Sequence, residues 1–131
     1  MATVKKVIRI DTDPAAAWDA VRDWTALHTR LVRGFVIDTK EDGADRIVTF
    51  FNGIVARERL IAVDDDNRRL VWSVVDGPYT HHNGAAQVFA DGDGTRFEWT
   101  ADFLPDEVAE RIDAMMERGV HAAKETLESD G

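Results

Sequence analysis

The chain has 131 residues, 44% of them hydrophobic and 31% charged, which suits one domain over residues 1–131 and is short for two. With 25 acidic against 16 basic side chains the net charge is −9, and no Lys/Arg cluster stands apart from that excess, so nucleic acid and anionic membrane surfaces are poor partners. Cysteine is absent, which excludes disulfides, thiolate zinc sites, iron–sulfur clusters and a cysteine nucleophile.

The first predicted element is a strand over 3–10. Lys5, Lys6 and Arg9 interrupt its apolar residues, so it offers neither a signal-peptide core nor a membrane span, and a soluble, cytoplasmic protein is expected. Asp13 followed by Pro14 reads as an N-cap with proline at the first helical position, and Ala15 to Val21 continue a helix with an apolar side. A second short helix is predicted over 24–31. Strands then follow at 34–40, 46–51, 54–63, 69–76, 81–90 and 95–103, rich in β-branched and aromatic residues. Turn signals punctuate them: Glu41-Asp42-Gly43, Asn52-Gly53, Asp64-Asp65-Asp66-Asn67, Asp76-Gly77-Pro78 and Asp91-Gly92-Asp93-Gly94. Such short spacings call for an antiparallel meander. Pro105-Asp106-Glu107 opens a longer helix in which Val108, Ile112, Met115, Gly119, Ala122 and Thr126 recur at helical spacing nearly to the C-terminus.

A helix of about 24 residues is about 36 Å long, and seven strands about 4.8 Å apart make a sheet about 34 Å wide. One helix cannot cover a flat sheet of that size, whereas a bent sheet can wrap around it and leave a hollow where facing side chains are small. Small residues are available: Gly119, Ala122 and Ala123 on the helix, and Gly84, Ala85, Ala86 and Ala90 on one strand.

Strand parity selects the inward polar groups. Over 54–63 one face holds Ile54, Ala56, Glu58, Leu60 and Ala62, while Arg57 and Arg59 mark the other as solvated. Glu58 is thus the one ionisable group on an apolar face, costly unless paired, hydrogen-bonded or protonated. It reads either as an orienting or acid–base group in a cavity or as the partner of an arginine near the sheet edge. By the same rule Leu70, Trp72 and Val74 face inward, as do Phe97, Trp99, Ala101 and Phe103. Several bulky rings opposite Gly119 and the alanines either fill the interior or line a pocket for a flat apolar ligand. Met115-Met116 is an adaptable apolar pair of ligand-facing or ordinary core type.

The histidines stand at 28, 81, 82 and 121, without the same-face spacing and nearby carboxylate of a metal site, and neither metal nor cofactor is expected. His82 shares parity with Gly84, Ala86 and Val88, so it could reach the hollow and work with Glu58 in acid–base chemistry, or else hydrogen-bond to backbone or water at a strand end. His28 reads as a helix residue at the lip of the core. No phosphate loop, nucleophile-elbow serine or dinucleotide fingerprint occurs, which disfavours nucleotide and serine-hydrolase chemistry.

The order of elements, with Val7-Ile-Arg-Ile-Asp-Thr-Asp-Pro-Ala-Ala-Ala-Trp18, Asp23-Trp24, Glu58-Arg59-Leu60, Val63-Asp64 and Trp99-Thr-Ala-Asp-Phe-Leu-Pro105, resembles the START/Bet v 1-like (SRPBCC) superfamily, in particular its small polyketide cyclase/dehydrase-like proteins. The resemblance implies an α+β helix-grip fold: a curved seven-stranded antiparallel sheet wrapped around a long C-terminal helix, with two short helices between its first two strands. It further implies a cavity that in relatives holds lipids, hormones or polyketides. Glu58-Arg59-Leu60 and Asp76 to Asn83 also look like stretches of the plant abscisic acid receptors, where the positions matching Glu58 and Trp72 face the ligand. The receptors' Ser-Gly-Leu-Pro gate has no counterpart in Phe51-Asn52-Gly53-Ile54, and their ligand-facing tyrosine is Gly84 here, so hormone sensing does not carry over. Ungapped matching back from Pro105 turns Glu98 inward; alternation, which we follow, turns Trp99 inward.

Three functions compete at this level. The first is binding of a small apolar ligand, with Trp24, Leu27, His28, Ala56, Trp72, Val74, Gly84, Ala86, Trp99, Ile112, Met115, Met116 and Gly119 lining the site and Glu58, Tyr79 and His82 orienting a polar end. The second is a cyclase- or dehydrase-type enzyme with Glu58 and His82 as catalytic groups. The third is a protein-interaction module with an incidental cavity. A monomer or homodimer without membrane insertion is expected.

Overall fold

The computed structural model describes residues 2–130. Strand β1 (Ala2–Ile10) leads to helix α1 (Pro14–Arg22) and a π-helical turn (Leu27–Leu31). Six strands follow: β2 (Val36–Asp42), β3 (Asp45–Phe50), β4 (Val55–Asp64), β5 (Arg69–Val74), β6 (His81–Asp91) and β7 (Gly94–Leu104). A 3-10 turn (Asp106–Val108) then opens helix α2 (Ala109–Asp130). All strand pairs are antiparallel, in the order β1-β7-β6-β5-β4-β3-β2, so the first two strands are the two edges of one curved sheet. The expected architecture is the observed one.

Local chemistry explains the entry and exit of each helix. The Asp13 side chain accepts from the Ala16 amide at 3.3 Å and Pro14 starts α1, which buries Ala17, Trp18, Ala20 and Val21. Trp18 Nε1 donates to Asp65 at 2.9 Å, tying α1 to the turn between β4 and β5. The helix expected over 24–31 is instead the five-residue π turn, closed by the Val32 amide on the Leu27 carbonyl at 3.0 Å. An α-helix from residue 24 would need the Trp24 carbonyl for an amide one turn later; that carbonyl accepts from Arg46 Nη1 at 2.9 Å.

Two strand expectations also shift. β2 begins at Val36, because Phe35 and Val36 both bond back to the Val32 carbonyl around Gly34 (φ 83°). β4 bulges against β5 between Leu60 and Ala62, so Ala62, expected to face inward with Glu58, is exposed.

Helix α2 lies against β1, β7 and the π turn and stands off from β3 to β5. Val120, Ala123 and Leu127 join Ile10, Val88 and Phe97 in the larger apolar core, while Ile112 and Met116 pack with Val4, Ala101 and Phe103. The small residues do not simply leave space. A Cβ on Gly84 would stand 2.4 Å from the Trp72 ring, and one on Gly119 2.5 Å from the Trp99 ring, so each glycine is a seat for an indole. Ala90, counted among the small inward residues, is exposed.

Because a ring cannot yield as a flexible side-chain tip does, Gly84→Ala should lower stability by about 1–3 kcal/mol. A urea denaturation midpoint unchanged by the substitution would contradict that seating.

Candidate functional site

The gap between α2 and the middle of the sheet is a cavity of about 280 Å³, which shares walls with an inner chamber of about 60 Å³. Five residues border both spaces: Phe35, Phe50, Glu58, Trp72 and Trp99. The rings form one cluster, with Phe35 edge-on to Phe50 (5.4 Å between centroids) and to Trp99 (6.4 Å), and Trp72 also 6.4 Å from Trp99.

The polar end of this apolar space is a buried ion pair. Arg46 and Glu58 are 3% and 6% exposed; Nε of Arg46 donates to Glu58 Oε1 at 2.8 Å, and Nη2 lies 2.8 Å from the same oxygen. The guanidinium carbon lies 3.7 Å from the Trp24 ring centroid and 5.8 Å from that of Trp72, so two indoles complete its enclosure. Burial pushes the Arg46 pKa down and the neighbouring carboxylate opposes that shift. Among the described residues nothing donates to Glu58 Oε2.

The pair arises from the β3–β4 hairpin. Its loop is the three residues 51–53, closed by the Phe50 amide on the Ile54 carbonyl at 2.8 Å with Gly53 at φ 87°, and this sets Arg46 directly opposite Glu58. On the outer face of the same hairpin Asp45 binds Arg57 at 2.9 Å and Arg59 at 3.0 Å, and the two guanidiniums hold its carboxyl below the usual range. Arg46 escaped the sequence reading because a two-residue turn at Asn52-Gly53 would pair it with Arg59.

His82 borders the larger space with Tyr79, whose ring meets the imidazole edge-on at 4.6 Å. Burial, aided by the charge of His81, lowers the His82 pKa from 6.5 to about 4, so the ring is neutral at pH 7. Among the described residues its Nδ1 and the indole Nε1 of Trp99 are buried without a hydrogen-bond partner. Glu58 and His82 stand two strands apart, about 10 Å at the backbone, with Val74 of β5 opposite Glu58, and they share no hydrogen bond. Burial also raises the Tyr79 hydroxyl pKa.

The other predicted residues divide by position. Ala56, Val74, Ile112, Met115 and Met116 line the larger space, while Leu27, Ala86 and Gly119 line the inner chamber. Three expected lining residues border neither space. Trp24 stands behind Arg46, His28 is held in the π turn with Nδ1 buried and unpaired, and Gly84 lies beneath Trp72. Trp99 faces inward, whereas Glu98 pairs outside with Lys5 at 3.0 Å and Arg96 at 2.7 Å. Ile54, placed on the inward face by parity, also lines it, and Phe35, Phe50, Val55, Asp76, Gly77, Pro78 and Arg111 complete the wall without having been proposed as site residues. Among the described residues no group of three or more His, Asp or Glu side chains is arranged to hold a metal ion.

Removing one partner of the buried pair strands the other's charge. Arg46→Met alone should therefore cost about 3–5 kcal/mol, while Arg46→Met with Glu58→Leu should recover most of that loss; urea titration of the double-mutant cycle tests this, and a loss in the double equal to the single would refute it. For His82 the unfolded chain binds the proton more readily than the folded one between pH 6.5 and about 4. Its stabilising share is complete above pH 6.5 and falls, by on the order of 3 kcal/mol, as pH drops to about 4. His82→Phe should flatten the urea-midpoint profile over that window, and an unaltered profile would speak against a neutral buried ring.

Comparison with known proteins agrees with this architecture. The polyketide cyclase/dehydrase and lipid transport family matches residues 1–128. No curated protein matches the sequence. Among solved structures, a putative uncharacterized protein from Bacillus thuringiensis superposes with a TM-score of 0.84 at 20% identity, covering 96% of this chain and 98% of its own. A Thermobifida fusca protein has a TM-score of 0.75 at 25% identity, with 98% and 91% coverage. A START superfamily protein from Mycobacterium smegmatis has a TM-score of 0.79 at 11% identity, with 98% and 99% coverage. The whole-length match and the shared curved-sheet architecture place this chain in the polyketide cyclase/dehydrase and lipid transport family, within the SRPBCC superfamily.

Proposed function

We propose that the protein binds a small apolar ligand, flat and aromatic or polyketide-like, in the cavity between α2 and the sheet. The observation that carries the reading is the cavity itself: about 280 Å³ walled by Phe35, Phe50, Trp72 and Trp99, with one carboxylate oxygen unengaged at its inner end. A dry engineered cavity of about 150 Å³ already accepts benzene, so this volume suits a fused two-ring compound. No helix among the described residues is long and apolar enough to cross a membrane; we assign the cytoplasm on the sequence expectation alone.

A reaction at Glu58 and His82, of cyclase or dehydrase type, is the second reading. Its support is that Glu58 Oε2 and His82 Nδ1 are both unpartnered in residues that border one space. A substrate would have to bridge the two groups, since they do not touch, and an imidazole with a pKa of about 4 is a weak base near neutrality. Binding alone asks for none of this.

Thermal denaturation with 2-naphthol and calorimetric titration test the proposal. Ligand at 100 times its Kd adds about 2.7 kcal/mol, a rise of roughly 10 °C in Tm for a domain of this size. Ala56→Phe, which fills the larger space from β4, should weaken binding at least about tenfold while leaving the far-ultraviolet circular dichroism intact. Absence of binding to the wild type, or undiminished binding to Ala56→Phe, would overturn the cavity reading.

A further inference from the structure

Over 111–118 the charges of α2 are sorted by side. Asp113 and Glu117 both meet Lys6 of β1, at 2.8 and 3.1 Å, and Glu117 also meets His121 at 3.3 Å. The side turned to the cavity carries Arg111, Met115 and Arg118, spaced four and then three residues so that they form one stripe. Arg118 lies 3.9 Å over the Phe51 ring, and Met115 Sδ meets the Asn52 amide, so this stripe runs along the rim formed by the β3–β4 loop. Arg111 borders the larger space beside Tyr79 and Ile112. Among the described residues it makes no hydrogen bond or ion pair, although Glu107 stands one turn before it and the chain carries nine more acidic than basic side chains.

The inner end has the opposite character. Arg46 is neutralised by Glu58, and the remaining oxygen there is an acceptor, so an anion would be repelled and a hydroxyl welcomed. We infer that the cavity takes a flat aromatic carboxylic acid, ring system inward and carboxylate at the mouth on Arg111, with a hydroxyl at the buried end donating to Glu58. The inference rests on the cavity reading and adds to it the ligand's charge and direction.

Asp76, the one acidic side chain bordering the outer part of the space, has Oδ1 engaged by the Arg57 amide at 3.0 Å. Its charge confines the ligand carboxylate to the Arg111 side of the opening. The Tyr79 hydroxyl, which borders the same space as Arg111 and stays protonated at neutral pH, is a second donor there. A carboxylate left at the mouth keeps most of its hydration, so entering apolar end first avoids the cost of burying an anion.

The test is calorimetric titration of 6-hydroxy-2-naphthoic acid and its methyl ester at pH 7 and low salt. The acid should bind the wild type about fivefold more tightly than the ester, as an exposed ion pair allows. That ratio should fall to about one in Arg111→Gln, return in Arg111→Lys, and shrink as NaCl is raised to about 0.5 M. A ratio near one in the wild type, or one that survives Arg111→Gln, overturns the charge assignment while leaving the cavity reading standing. Failure of both compounds to bind the wild type removes the cavity reading and this inference with it.

Discussion

The structure depends on one mismatch: a single 22-residue helix must cover the concave face of seven strands. Helix α2 resolves it by lying along β1 and β7, where close packing is possible, and leaving the middle of the sheet to side chains. Large rings bridge that distance, and they can do so only where the opposing backbone carries no Cβ. Gly84 and Gly119 are therefore as much part of the interior as the indoles above them. What the rings cannot reach remains open, and the cavity is this remainder.

The hairpin of β3 and β4 closes the polar end of the opening and fixes its own alignment. Asp45 and Arg46 on one strand face Arg57, Glu58 and Arg59 on the other, so each surface of the hairpin pairs its charges separately, Arg46 with Glu58 inside and Asp45, with Asp42 of β2, on the two flanking arginines outside. A slip of one residue would set Arg46 opposite an arginine and turn Glu58 outward. Burying an ion pair is weak grounds for stability; holding register against such a slip is the better-attested role for buried polar groups. The same pair gives the cavity its asymmetry, apolar along the walls and hydrogen-bond accepting at the closed end.

Much of the architecture was legible because its punctuation is chemical: an aspartate before a proline opens α1, and acidic or glycine-bearing turns separate the strands. Alternation also identified Glu58 and Trp99 as inward-facing, against a residue-by-residue family match that would have chosen Glu98. The failures share a cause, which is contact between residues distant in sequence. Trp24 cannot begin a helix because its carbonyl is taken by an arginine 22 positions away. Arg46 was hidden because pairing depends on whether the loop has two residues or three, and the composition of Asn52-Gly53 allows either. Ala62 fell on the wrong side because a bulge inverts parity without a local marker.

Three of the four tryptophans, Trp24, Trp72 and Trp99, gather around the buried charge pair and the cavity wall, while Trp18 is engaged elsewhere by Asp65. Two of these indoles, Trp72 and Trp99, are residues a guest would touch. Occupancy thus reports itself optically: a compound absorbing in the near ultraviolet would drain excitation from neighbouring indoles by energy transfer, with no label attached.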